Sequence, residues 1–288
     1  MRIFKFFRYL FETIIIILFF VIFKIIGLKN SSFISGKIFT FFGPFFRSEK
    51  IITQNLKTSF PNVTDEKLNE YKKDMWNYYG KIFAEYIFLK KLRKNEFENV
   101  EIFGNQILDR IKDNKEPVIF VSGHFDNFEL MAMYLEKSGI NLSTVYRPLN
   151  NFFMNKIMEK LRLKYICKNQ IKKGKSGLKD SLRLFKAGCS IALMIDQRVS
   201  EGEKVNFFEK KAYTTTIPAQ FVKKFGCKVV PINIKRIGNV KFTIKIFEPV
   251  EFSKNASISQ ITHQLNIWLE KEIIKNPSKW IWSHNRWK

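Results

Sequence analysis

Residues 117–139, PVIFVSGHFDNFELMAMYLEKSG, decide how this chain is read. Val118, Ile119, Phe120 and Val121 form an apolar, β-branched run of the length of a buried parallel strand. Ser122 and Gly123 end it, and His124 follows at once. Asp126 stands three residues before Glu129, the spacing of a helix N-cap with a capping box. The pattern then predicts a helix through Leu130, Met133, Tyr134 and Leu135 to the basic turn at Lys137 and the C′ glycine Gly139. His124 therefore falls where a parallel strand ends and a helix begins, and open α/β sheets bind ligands outside the carboxyl ends of their strands. An imidazole there, with a carboxylate one helical turn ahead, suits a general base oriented by an acid partner. By themselves the same residues equally suit a plain turn in which Glu129 only caps the helix.

Outward from this stretch, strand and helix patterns alternate. Residues 97–103 read as a short strand and 106–113 as a helix that feeds the 117 strand. Further strands are expected at 142–146, 164–167, 190–195, 227–232 (extended toward Arg236) and 242–247, the last pairing with the one before it. Helices are expected at 153–161, 178–185, 218–225 and 257–274, with a basic loop at 203–211. This order predicts an α/β fold with a mostly parallel central sheet flanked by helices. Residues 172–177, KKGKSG, look like a phosphate loop at first sight. A Walker A pattern, however, would need glycine where Asn169 stands.

In such a sheet, successive strand ends share one edge. His124, Arg147 (after the 142 strand) and Asp196-Gln197-Arg198 (after the 190 strand) are thus expected to gather there. Arg147 precedes Pro148, which holds it extended, and its fork suits a phosphate. The competing role for Arg147 is to pair with Asp196 or Glu129 and hold the sheet edge, and Asp196 reads as a group that orients an arginine rather than as a base. Cys167 and Cys189 lie in or beside apolar runs as core thiols. The absence of a G-x-S-x-G elbow disfavours an α/β-hydrolase.

The 288 residues carry 50 Lys and Arg against 26 Asp and Glu, a formal net charge of +24, so the chain must meet something anionic. Its basic residues are spread along the chain and no nucleic-acid motif occurs, which argues against nucleic acid as the partner. The three cysteines have no metal-ligand spacing and read as reduced thiols on the cytoplasmic side; no metal or organic cofactor is called for. At the N-terminus, Arg2, Lys5 and Arg8 stand among aromatics ahead of TIIIILFFVIF at 13–23. That run is shorter than the roughly 20 residues a spanning helix needs, but Lys24 can snorkel and extend it to Leu28. Residues 27–32 offer no signal-peptidase site, so the stretch reads as an uncleaved membrane anchor, spanning or lying deep in the interface. The Phe-rich residues 33–46 read as its interfacial continuation or as an ordinary helix packed on the domain. The division expected is 1–46, anchor and interfacial segment, and 47–288, catalytic domain.

Several segments together resemble the bacterial lipid A late acyltransferases, a lauroyl/myristoyl branch of the glycerolipid acyltransferases. These are His124-Phe125-Asp126-Asn127-Phe128-Glu129, Tyr146-Arg147-Pro148-Leu149-Asn150-Asn151, Asp196-Gln197, Thr214-Thr215-Thr216, and the closing PSKWIWSHNR from Pro277 to Arg286. Where the family often has Phe-Phe-Gly, this chain has Phe207-Phe208-Glu209, which bears on the conformation of that loop. The resemblance implies transfer of a fatty acyl group from acyl carrier protein to a hydroxyl of a lipid A precursor, an anionic glycolipid, at the cytoplasmic face of the bacterial inner membrane. It implies His124 as base with Glu129 as its carboxylate, no acyl-enzyme, and Arg147, Asn151, Asp196, Gln197 and Arg198 as substrate-binding residues. A sibling acyltransferase with another lipid acceptor, and a non-catalytic basic membrane-binding protein, are the alternatives.

Overall fold

The computed structural model describes residues 2–94 and 99–288. Two N-terminal helices, α1 (Arg2–Ile26) and α2 (Leu28–Phe42), meet at Gly27, whose φ of 81° breaks the helical path. Helices α3 (Glu49–Ser59), α4 (Asp65–Glu85) and α5 (Leu89–Lys94) follow. The sheet region then runs β1 (Val100–Phe103), α6 (Asn105–Asn114), β2 (Ile119–Ser122), α7 (Glu129–Lys137), β3 (Leu142–Tyr146), α8 (Phe152–Tyr165), β4 (Asn169–Lys172), α9 (Lys175–Lys186) and β5 (Ser190–Met194). It continues with β6 (Glu203–Phe207), β7 (Lys210–Thr214), α10 (Ile217–Phe225), β8 (Val229–Arg236), β9 (Phe242–Ile246) and α11 (Ile258–Lys275).

Seven strands form one sheet in the order β1-β9-β8-β2-β5-β3-β4, in which only the β8–β9 pairing is antiparallel. The expected mostly parallel α/β sheet is therefore what the chain builds. The central strand β2 is buried along its whole length, as a strand covered by helices on both faces must be. Its register against β5 pairs Ser122 with Met194. His124 and Asp196, each two residues further on, thus leave the sheet at the same level.

Three local expectations are corrected. The third strand lies at Asn169–Lys172 rather than at 164–167, where α8 is still ending. β4 is an edge strand that buries only Ile171, so its sequence is too polar to announce it, whereas Ile166 and Cys167 are buried apolar residues that close the C-terminal end of α8. The basic loop at 203–211 belongs to the hairpin β6–β7, with Val205, Phe207, Ala212 and Thr214 buried at alternate positions between exposed lysines. The helix after His124 starts at Glu129 with no side-chain cap, so no capping box forms at Asp126. Of the expected 97–103 strand, Val100–Phe103 is β1, and Phe97 lies outside the described residues.

The N-terminal helices pack on the domain through one face each. Tyr9, Thr13, Phe20 and Phe23 form a buried stripe along α1, while Phe4, Phe7, Phe11, Ile14, Leu18 and Ile25 on its other faces are exposed. By length and composition, Ile3–Ile26 is long and apolar enough to cross a membrane. On α2, Ser31, Ser32, Ser35 and Gly36 are buried against α4, and Phe33, Phe41 and Phe42 are exposed. The approach is close: a Cβ on Gly80 of α4 would stand 2.2 Å from the Ser35 carbonyl oxygen. The Ser35 hydroxyl donates to the Gly80 carbonyl at 2.7 Å.

The β6–β7 hairpin turns through Phe208 and Glu209 at φ 49° and 58°, both left-handed, as a two-residue hairpin turn requires. Glu209 thus occupies a conformation that glycine adopts without strain, and it is exposed. Relief of about 1 kcal/mol is expected on Glu209→Gly, read as a higher midpoint in denaturant unfolding. Phe208→Gly is expected to lower it, since that ring packs against Phe60, Phe207 and Trp287.

Candidate active site

The imidazole of His124 is held by Asp196. The two Nδ1 and Oδ1 atoms are 2.7 Å apart, and the backbone N–H of His124 donates to Oδ2 of the same carboxylate at 2.6 Å. The indole N–H of Trp280 also donates to Oδ2, at 2.9 Å. Asp196 is completely buried. Burial opposes its ionisation, yet the adjacent His124 charge and hydrogen bonds and the Trp280 donor hold its carboxyl below the usual range. An ionised carboxylate on Nδ1 keeps the proton there and leaves the Nε2 lone pair as the basic one. Among the described residues, none is hydrogen-bonded to Nε2, and the side chain keeps 19% of its surface exposed.

The expected pairing of His124 with Glu129 does not form. Glu129 Oε1 accepts from Arg162 Nη2 at 2.5 Å and Nε at 3.0 Å, and from the Tyr86 hydroxyl. The reason is the loop before α7: Asp126 is fully buried at φ 36° and its Oδ2 accepts the Arg236 backbone N–H at 2.7 Å. That tertiary demand takes the side chain away from capping, and the helix starts with Glu129 facing α8 and its Arg162. Arg236 also lies across Glu85, its Nη1 donating to Oε1 at 2.7 Å and its Nη2 to Oε2 at 2.9 Å. Asn127 and Ser32 complete the Glu85 carboxylate, each at 2.8 Å. This buried cluster, which no local pattern announced, supports the 123–128 loop from below.

The other expected site residues divide in two. Arg147 is exposed at the end of β3, roughly 10 Å across two strand spacings from β2, and forms no ion pair among the described residues. Asp196 and Glu129, its possible partners, are both taken. Partial desolvation and then the Arg147 charge push the ammonium of neighbouring Lys173 below its usual range, so the edge is cationic. Gln197 is half-buried beside Asp196. Asn151 and Arg198, by contrast, are engaged within the protein. Asn151 caps α8 and donates to the Tyr9 carbonyl at 2.9 Å, tying α8 to α1. The guanidinium of Arg198 donates to the Lys288 carbonyl at 3.0 Å and lies over Tyr213. The thiols are poor nucleophiles: burial pushes Cys167 up to about 11 and Cys227 up to about 12.

A buried carboxylate thus aligns a histidine at the carboxyl edge of the mostly parallel sheet, beside a cationic rim. Residues 3–288 match the family described as bacterial lipid A biosynthesis acyltransferase, and the chain belongs to that family. It is a lipid acyltransferase. Among its relatives is the lipid A biosynthesis palmitoleoyltransferase of Escherichia coli, 23% identical over 265 residues that cover 89% of this chain and 84% of the relative. The lipid A biosynthesis acyltransferase of Shigella flexneri aligns with the same identity and coverage. Among solved structures, the 1-acyl-sn-glycerophosphate (LPA) acyltransferase PlsC of Thermotoga maritima aligns over 88% of this chain and 96% of its own, at 14% identity and a TM-score of 0.41.

The closing segment packs on the site. His284 Nε2 accepts the Arg198 backbone N–H at 2.9 Å, and burial pushes its imidazole down to about 4. An unfolded histidine protonates near 6.5. Between about 6.5 and about 4 the unfolded chain therefore holds a proton that the folded one does not, and stability falls as pH falls through that window. Thermal unfolding at pH 7 and pH 4.5 is expected to show a smaller drop in midpoint for His284→Gln than for the wild type.

Proposed function

We propose that the protein transfers a fatty acyl chain from acyl carrier protein to a hydroxyl of a lipid A precursor at the cytoplasmic face of the bacterial inner membrane. The observation that carries this reading is the His124 imidazole, with Nδ1 on buried Asp196 and Nε2 unengaged, in a chain that belongs to the lipid A acyltransferase family along its length. Nε2 takes the proton of the acceptor hydroxyl, and Asp196 steadies the imidazolium. The oxygen attacks the thioester carbonyl carbon, and a backbone N–H or an arginine at this edge takes the developing oxyanion. As the intermediate collapses, the C–O bond remains, the C–S bond breaks, and the imidazolium returns its proton to the departing thiolate. No acyl-enzyme is formed. Arg147 and Lys173 are placed to meet an acceptor phosphate, and the net charge of +24 suits both an acidic carrier protein and a phosphorylated glycolipid. Glu129 acts through Arg162, by holding α8 against α7, rather than through the imidazole.

Attachment to the membrane is assigned to the exposed apolar faces of α1, α2 and the turn Gly43–Phe46, where Phe45 is 80% exposed. Lys5, Lys24 and Lys37 flank them, as suits an anionic bilayer surface.

Purified protein given a tetra-acylated, Kdo-bearing lipid A precursor and a panel of acyl carrier protein thioesters is expected to add one acyl chain, read as a gain in the acceptor's mass. In His124→Ala the rate is expected to fall about 10²–10⁴-fold with the fold intact. A folded His124→Ala protein at wild-type turnover would sink the general-base reading, and no gain in mass from the wild type would move the acceptor to another anionic or glycosylated lipid. Deleting residues 1–28 is expected to shift the protein from the membrane pellet to the supernatant. Continued sedimentation of the truncated protein would assign the attachment to the 33–46 segment or to the domain.

A further inference from the structure

Asp196 is a carboxylate with no exposed surface, and its orientation decides which of the histidine's nitrogens is basic. Oδ1 must meet Nδ1–H, and rotation of the carboxylate about its side-chain bonds would break that contact. Rotation is opposed from the other side. Oδ2 receives two N–H groups, the His124 backbone at 2.6 Å and the Trp280 indole at 2.9 Å. The first moves with the histidine it serves, so the independent reference is the indole.

Trp280 is itself immobilised. Its ring is fully buried, stands edge-on to Trp282 at 4.6 Å between centroids, and packs against Phe207 at 5.8 Å. The Trp282 indole donates to the Pro277 carbonyl at 2.6 Å, and Asn55 of α3 donates to the carbonyls of Trp282 and His284 at 2.8 and 2.7 Å. Arg286 anchors the end of the segment on the Tyr213 carbonyl and the Thr214 hydroxyl of β7. The same segment grips the turn after Asp196 a second time, where His284 accepts from the Arg198 backbone. The indole N–H groups of Trp282 and Trp287 serve backbone carbonyls; among the described residues Trp280 is the tryptophan whose N–H reaches a carboxylate.

We infer that Trp280 is a positioning residue for acyl transfer: its indole N–H sets the rotamer of Asp196 so that the carboxylate presents Oδ1 to His124 Nδ1. The inference rests on the proposed roles of His124 and Asp196. It differs from a packing role for Trp280 in one respect, that it requires the N–H and not only the ring.

The test compares Trp280→Phe in the wild-type and Asp196→Ala backgrounds, with the acyl carrier protein thioester and Kdo-bearing precursor as substrates. It adds a variant carrying benzothienylalanine at position 280, which keeps the bicyclic shape and replaces the N–H by sulfur. A hydrogen bond to a charged group corresponds to about 10–100-fold in rate. That loss is expected in kcat, with KM little changed, for both Trp280→Phe and the sulfur variant. In the Asp196→Ala background, Trp280→Phe is expected to cost nothing further, because the two residues act through one another. Equal losses in both backgrounds would reduce Trp280 to a packing residue, and the sulfur variant at wild-type kcat would remove the N–H from the mechanism while leaving His124 and Asp196 in place. Asp196→Ala at wild-type kcat would instead overturn the underlying pair, and the inference with it. A second readout needs no substrate. The chain has three histidines, so the ring ¹⁵N shifts of His124 are separable in histidine-labelled protein. A single Nδ1–H tautomer is expected in the wild type and a mixture in the sulfur variant; an unchanged tautomer there would overturn the inference even if no acyl transfer were seen.

Discussion

The buried carboxylate of Asp196 is the constraint around which this molecule is arranged. A charge with no access to water has to be surrounded by donors, and the donors here come from two distant parts of the chain: His124, through both its backbone N–H and its ring, and the closing tryptophan segment. Satisfying one anion therefore fixes the loop after β2, the turn after β5 and the C-terminal segment relative to each other. The parallel register of β2 and β5 brings the two residues to the same level, and the hydrogen bonds then define their angle. The proposed chemistry follows from the same arrangement, because a histidine held through Nδ1 has only Nε2 left to offer.

A second buried ionic centre lies beneath the first. Arg236 closes against Glu85 with two hydrogen bonds and reaches Asp126, with Ser32 and Asn127 completing the shell. Removing one member of such a pair leaves an uncompensated charge and costs about 3–5 kcal/mol. Asp126 is itself pushed up, by burial above all, against the pull of Arg236 and Lys279. Its left-handed backbone is held by this cluster, and that conformation turns the chain back so that Phe125 packs inward and Phe128 stands 4.7 Å from the His124 ring. The pair Glu129–Arg162 then joins α7 to α8 on the flank of the site.

Much of this was legible from residue patterns. The alternation of strand and helix signals, the short β-branched run before His124, and polar residues after three strands predicted a parallel sheet with its chemistry at one edge. The apolar N-terminal run predicted a helix with unsatisfied hydrophobic surface. What local patterns could not give was which carboxylate faces the imidazole. Glu129 lies five residues from His124 and Asp196 lies 72 away, and proximity in sequence favoured the nearer one, whereas strand register decided for the other. The capping-box reading of Asp126 failed for a related reason: a local hydrogen bond competed with a buried backbone donor on β8, and the buried donor won. The edge strand β4 and the β6–β7 hairpin escaped because exposed strands need only every second residue to be apolar. The hairpin's alternation was present at Val205, Phe207 and Ala212 but was hidden among its lysines.

The close seating of α2 on α4 has a consequence for reach. Ser32 of α2 hydrogen-bonds to Glu85 at the end of α4, and Glu85 belongs to the cluster that carries the His124 loop, so the outer aromatic face of α2 and the basic imidazole are joined by packed helix and buried hydrogen bonds with no slack linker between them. With those aromatics seated in a bilayer, the imidazole stands at one set height above the hydrocarbon boundary. On the proposed function, that height would set which acceptor hydroxyls come within reach, as a depth gauge does. A hydroxyl that its own lipid presents at that height is in range, and a chemically identical one held a few ångströms higher or lower is not.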